Sequence, residues 1–341
     1  MQPRRIRFSN TMGDWPLARQ TPGGRGVWGD YIFLSPDAPG ADEPDYWLVY
    51  EELGAAEEAR VAPGRVVFVT GEPEAKRYYA PEFLAQFGLV VTSQARIQGA
   101  NVVHTQPALP WHVGVRRHTR GRGDPLGRDF ATLGYDELRT ADPDKPRELS
   151  LVCSAKRDVE GQRRRLAFAE RLQEHFGARL DWFGRGTRPI EDKWDAVAPY
   201  RFHVVLENTV EADYWSEKLA DAYLGLAFPL YWGCANLEDY FDADSFVALD
   251  LERPEDAIAA IERALAEGVT PVRAAAVARA RDAVLDRYNL FPAIAGLLDE
   301  CPDGPPHRVK LRPAASFVPG APLWRRAASP VARALRSQRR G

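Results

Sequence analysis

Between residues 149 and 250 the chain passes through short runs that are apolar along nearly their whole length, each followed by a polar or helix-patterned stretch. No other feature constrains the fold as much. A strand without polar alternation is buried on both faces, as parallel strands covered by helices are. The runs at 149–154, 180–183, 202–206, 228–232 and 246–249 are predicted strands. Helical spacing is read at 162–176, with Leu166, Phe168 and Leu172 on one side, and again at 216–226, 254–267 and 271–288. This alternation predicts a doubly wound α/β sheet, in which ligands sit beyond the carboxyl ends of the strands.

Similar but weaker signals precede it: strands at 45–50, 64–71 and 89–92 and a short helix at 83–87. With 341 residues the chain exceeds what one core usually holds. Residues 117–148, rich in Arg, Asp, Gly and Pro, read as a linker. The expected organisation is therefore a first domain over 1–145, a second over 146–304 and a tail over 305–341.

The charge is unevenly spread. Nine Lys and Arg and no Asp or Glu follow residue 304, so the net −3 of the whole chain leaves −12 for residues 1–304. An acidic body argues against nucleic acid as a partner, while the basic tail suits an anionic surface. Leu323, Trp324, Val331 and Leu335, interleaved with arginines, suggest contact with a membrane interface; Pro322 and Pro330 suggest instead a disordered basic tail. The three cysteines, Cys153, Cys234 and Cys301, form no CxxC or Cys/His cluster. Neither a disulfide framework nor structural zinc is expected. A reducing, cytoplasmic setting is, with peripheral contact at the inner membrane face through the tail. The N-terminus shows no secretory leader, and no apolar run approaches a bilayer span.

The densest chemistry lies in residues 200–250. A buried strand opens into the polar loop Glu207-Asn-Thr-Val-Glu-Ala-Asp213, and Ser216 is placed to cap the next helix, with Glu217 and Lys218 in its first turn. The start of such a helix attracts phosphate through its free N–H groups and dipole. Lys218 adds a full positive charge there, and Glu217 can accept hydrogen bonds from ribose hydroxyls. Taken alone, a Glu-Lys pair on a helix is a solvated charge pair. The strand at 228–232 ends at Gly233, where backbone can approach a ligand.

Phe202, Glu207, Asn208, Tyr214, Ser216, Glu217, Lys218, Pro229, Tyr231, Gly233, Asn236, Asp239 and Phe241 occur in an order that resembles the donor-binding motif of glycosyltransferase family 10, the α1,3/α1,4-fucosyltransferases. The resemblance implies a GT-B architecture: two Rossmann-like domains facing across a cleft, an acceptor domain first and a nucleotide-sugar domain second. It implies inverting transfer of L-fucose from GDP-fucose to a hydroxyl of a glycan, such as GlcNAc or Glc of a surface polysaccharide. Glu217 would lie at the ribose, Lys218 at the pyrophosphate, and Asn208 and Tyr214 would line the same pocket. Arg165, three residues before Phe168, matches an arginine of the family that neutralises donor phosphates. With Arg and Lys supplying charge, neither metal nor cofactor is expected. Arg163 and Arg164 read as a solvated helix face.

In Val69-Thr-Gly-Glu-Pro73 a strand ends at a glycine and a carboxylate follows. Glu72 matches the position of the family's proposed general base, with Glu74 a rival and a surface turn the plain alternative. In Leu109-Pro-Trp-His-Val-Gly114, Trp111 is a candidate to stack on the acceptor and His112 to bond a hydroxyl. The glycine-rich stretch at 20–29 lacks phosphate-loop spacing and reads as an acceptor-side loop. Two other functions stay open: a transferase of the same fold that uses a UDP-sugar, and a glycan-binding relative without catalysis.

Overall fold

The computed structural model describes residues 3–116 and 130–317. The chain divides into two compact α/β units. The first contains residues up to 13, residues 26–107 and those from 294 on; the second contains 14–25 and 108–293.

The first unit is built on a seven-stranded sheet. Its strands are Arg4–Ser9 (β1), Val27–Trp28 (β2), Tyr31–Leu34 (β3), Tyr46–Tyr50 (β4), Val66–Val69, Leu89–Thr92 and Val102–His104, with Glu57–Val61 (β5) lying outside it. Numbering the last three β6, β7 and β8, the order is β2-β3-β1-β4-β6-β7-β8, and every pairing except β2 with β3 is parallel. All residues of β4, β6 and β7 are buried, as their unbroken apolar character requires. The short helix Pro81–Leu84 (α1) sends Phe83 into this core, where Trp47, Phe68, Tyr79, Phe87 and Val90 meet it.

Residues 305–317 are not the free tail expected from their charge. His307–Leu311 pairs antiparallel with β5, Leu311 enters the core of the first unit, and Phe317 packs edge-on against Phe83 at 6.0 Å. The alternating character of HRVKL, with Val309 and Leu311 inward and Arg308 and Lys310 paired with Glu58, is an edge-strand pattern masked by a run of basic residues. The apolar-basic positions from 318 on lie outside the described residues.

The second unit has the five-stranded parallel sheet that the sequence pattern predicts. Val115–Arg116 (β9) and Phe130–Ala131 (β10) pair apart from it. Its strands are Arg147–Val152 (β11), Leu180–Phe183 (β12), Tyr200–Leu206 (β13), Phe228–Trp232 (β14) and Val247–Ala248 (β15), in the order β12-β11-β13-β14-β15. Between them run Glu160–Phe176 (α3), Trp194–Val197 (α4) and Glu217–Leu224 (α5), preceded by Tyr135–Thr140 (α2) and followed by Pro254–Glu267 (α6) and Pro271–Ala283 (α7). One long final helix was expected to reach 288; the chain instead widens into a π-turn at Val284–Tyr288.

Two expected boundaries move. The stretch read as a linker contains β10 and α2, and the segment from 108 belongs to the second unit, not to a first domain ending at 145. Buried Asp192 holds it there, accepting from Gly114 N at 2.9 Å and from Thr132 Oγ1 at 2.7 Å. Such side-chain-to-backbone links between distant segments leave no periodic trace in sequence.

Candidate functional site

The carboxyl ends of β11 and β13 and the start of α5 bring together a dense set of charges. Glu207 follows β13 directly and is fully buried. It accepts from Ser216 N at 2.8 Å, from Ser216 Oγ at 2.7 Å and from Lys218 Nζ at 3.2 Å. Ser216 caps α5 by accepting from Lys218 N, as its place before Glu-Lys predicts. A Cβ on Gly233 would stand 2.4 Å from Glu207 Cγ, so only glycine leaves room for this buried carboxylate. Glu207 is thus the scaffold of the site; it was read in the motif but given no role.

Lys218 also reaches Glu217 Oε1 at 3.3 Å. Burial works against the charge of Lys218, but Glu207 and Glu217 overcome it and raise its pKa. Burial likewise opposes the Glu217 carboxylate, yet Lys218, His112 and Lys193 hold its pKa well below the usual range. His112 Nδ1 lies 3.9 Å from Glu217 Oε1, and the His112 ring packs edge-on against Trp15 at 5.1 Å. His112 thus belongs beside the expected ribose residue of α5.

Arg165 comes from the second turn of α3 and is 6% exposed. Its Nε has no hydrogen-bond partner, and no carboxylate lies within ion-pair distance of it among the described residues. It faces Lys218 closely enough to lower that group's affinity for a proton, and both act on the thiol of Cys153, whose pKa is nevertheless raised by burial. α3 starts against the loop after β13: a Cβ on Gly161 would fall 1.6 Å from Asn208 O. A buried, unpaired guanidinium close to the half-buried ammonium of Lys218 forms a site that an anion would complete.

Asn208 is buried beside this cluster and Tyr214 is buried two residues before the cap. Trp111 departs from expectation. It is 1% exposed, covered by the Arg19 guanidinium 5.6 Å from its ring, and presents no face on which a sugar could stack. Arg163 and Arg164 pair with Glu160 and Glu252, as solvated helix charges do. Glu72 belongs to the first unit, two residues beyond buried Thr70; it pairs with Lys76, and its carbonyl accepts from Gln94 Nε2 at 2.8 Å. Glu74 pairs with Arg96 at 2.5 Å. A cavity of about 640 Å³ opens where β14 and β15 end, bordered by Tyr231, Gly233, Asn236, Asp239, Arg164 and Glu252. Among the described residues no group of three or more His, Cys, Asp or Glu side chains is placed to hold a metal, and no helix is long and apolar enough to cross a membrane.

The family model for the glycosyltransferase family 10 (fucosyltransferase) C-terminal domain matches residues 144–265, the stretch that contains every residue of this cluster except His112. This part of the chain matches glycosyltransferase family 10. Within the family, the chain is similar to the alpha-(1,3)-fucosyltransferase FucT of Helicobacter pylori, 33% identical over 70 residues, which are 20% of this chain and 15% of that protein. It is also similar to the 4-galactosyl-N-acetylglucosaminide 3-alpha-L-fucosyltransferase FUT6 of Pongo pygmaeus, 27% identical over 138 residues, 37% of this chain and 38% of the relative. The chain thus spans well under half the length of either curated relative. A crystal structure of an alpha1,3-fucosyltransferase superposes with a TM-score of 0.50 at 18% identity, covering 89% of this chain and 90% of that one. The fold is GT-B, with two Rossmann-like units.

Proposed function

We propose that this protein is a family 10 glycosyltransferase that transfers L-fucose from GDP-fucose to a hydroxyl of a glycan. The observation that carries the donor half of this reading is the buried, unpaired guanidinium of Arg165 facing Lys218. A diphosphate placed between them receives charge-assisted hydrogen bonds from both and from the free N–H groups at the start of α5. Glu217, kept ionised, accepts from the ribose hydroxyls. The names of the curated relatives support fucose as the sugar and a glycan as acceptor.

The chemistry follows. The acceptor oxygen attacks the anomeric carbon from the face opposite the nucleotide, and the bond from that carbon to the phosphate oxygen breaks. GDP leaves with its new charge countered by Arg165 and Lys218, and the acceptor proton passes to a carboxylate. We assign that base to Glu72, following the family resemblance. No step requires a metal. Residues 318–341, with six arginines and no acidic residue, are proposed to contact an anionic membrane surface at the cytoplasmic face.

The test is calorimetry with GDP, GDP-fucose and UDP-sugars on the wild type and on Lys218→Ala. The expected result is binding of the guanine nucleotides alone, weakened by ~1–3 kcal/mol in the variant, as for a lost charge-assisted hydrogen bond. Preference for a UDP-sugar would reassign the donor. Binding of GDP-fucose without the slow hydrolysis expected in the absence of acceptor would make the protein a binder. Deletion of 318–341 is expected to lower vesicle binding while turnover of a soluble acceptor stays intact.

A further inference from the structure

Lys193 stands between two carboxylates of α5. Its Nζ lies 2.9 Å from Asp221 Oδ2 and 3.8 Å from Glu217 Oε1. These acids are one helical turn apart and share a face of the helix. Asp221 is 1% exposed, and its other oxygen accepts from His112 N at 2.8 Å and Val113 N at 3.0 Å. One buried carboxylate therefore fastens both the 112–113 backbone and the Lys193 ammonium. Lys193, Asp221, Lys218 and His203 also border a single cavity of about 10 Å³.

Glu217 is already contacted by Lys218 at 3.3 Å and approached by His112 at 3.9 Å. A second full ion pair would occupy the oxygen that a ligand hydroxyl needs. We propose that Asp221 is a positioning residue for the donor site: by holding Lys193 it keeps that ammonium from closing to hydrogen-bond distance on Glu217 and leaves the Glu217 carboxylate available to the sugar hydroxyls of a nucleotide. The inference rests on the donor reading given above. Asp221 decides where Lys193 points.

Asp221→Asn separates this role from packing. The amide keeps the shape, and its oxygen still accepts from His112 N and Val113 N, but its NH₂ faces Lys193 and repels it toward Glu217. In calorimetry with GDP on the full chain, Asp221→Asn is expected to weaken binding about tenfold or more. The double variant Lys193→Met/Asp221→Asn, which lacks the competing ammonium, is expected to return to within about threefold of wild type. Thermal unfolding of both variants checks that each is folded. Unchanged affinity in Asp221→Asn, or a double variant as weak as the single one, would overturn the proposal. A crystal structure of Asp221→Asn is an independent readout. Lys193 Nζ bonded to Glu217 supports the switch even if the wild type binds no GDP, in which case only the donor reading falls; Lys193 remaining away from Glu217 overturns the proposal.

Discussion

Arg165 shows in one side chain how function can be stored as instability. A cation 6% exposed, with an unbonded Nε, is destabilising until an anion arrives. Replacing it by methionine, which keeps the stem and removes the charge, is expected to raise the thermal midpoint of the ligand-free protein and to weaken GDP binding by at least about tenfold. Melting curves with and without GDP read both effects. If the unliganded midpoint falls instead, Arg165 has a structural partner. Gly233 is the complementary case, since the atoms nearest to a Cβ there would be those of Glu207 and Tyr231 Oη at 2.4–2.8 Å. Gly233→Ala is expected to destabilise the protein by ~1–3 kcal/mol and to displace Glu207, so that donor affinity falls with stability. Gly233 is legible in the ordered motif, and Arg165 by its spacing to Phe168. Trp111 is not: an aromatic beside a histidine reads the same whether its ring faces a ligand or a guanidinium, and only tertiary packing against Arg19 decides.

At the scale of elements, α5 and the β11–β13 pair lend themselves to measurement. Ser216→Ala removes the cap of α5 and the hydrogen bond that its hydroxyl shares between the two carboxylate oxygens of buried Glu207. A loss of about 1–2 kcal/mol is expected in chemical denaturation, where an ordinary exposed cap would give about half of that. On the sheet, His203 of β13 is buried with Nδ1 2.8 Å from Ser150 Oγ of β11, and burial pushes its pKa down to about 3, helped by Lys193 and Lys145. The unfolded chain takes up a proton near pH 6.5, whereas the folded one does not until about 3. Stability therefore falls as pH drops through that window, by up to about 1.4 kcal/mol per unit. Denaturation midpoints for the wild type and His203→Asn between pH 7 and 4 are expected to differ in slope, the variant being flatter. The strands and helices of this unit could be read from periodicity because both faces of the sheet are covered. The contacts of Asp192 and Asp221 with the 112–114 backbone could not, since a lone aspartate in a helix or loop looks solvated until its partners from distant sequence are known.

Over the whole molecule, chain order and unit membership do not coincide. The second unit takes 14–25 from early sequence, and the first takes everything from 294 on. A truncation after Pro305 removes the partner of β5 and withdraws Leu311 and Phe317 from the cluster around Phe83. It is expected to lower the thermal midpoint by several degrees, roughly what ~2–4 kcal/mol does to a protein of this size. An unchanged midpoint would mean that the strand is dispensable. Sequence reading placed a boundary at 304 because nine unopposed positive charges outweigh a five-residue alternation in any local window.

That last pairing sets an order on synthesis. The ribosome releases the partner of Glu57–Val61 some two hundred and fifty residues after Glu57–Val61 itself, as the span from Arg308 back to Glu58 records. The unit that begins first is thus finished last, while the unit made later can close before it. Until residue 317 emerges, the nascent chain carries an unpaired strand edge and an uncovered aromatic floor around Phe83, a surface for a ribosome-bound chaperone to shield.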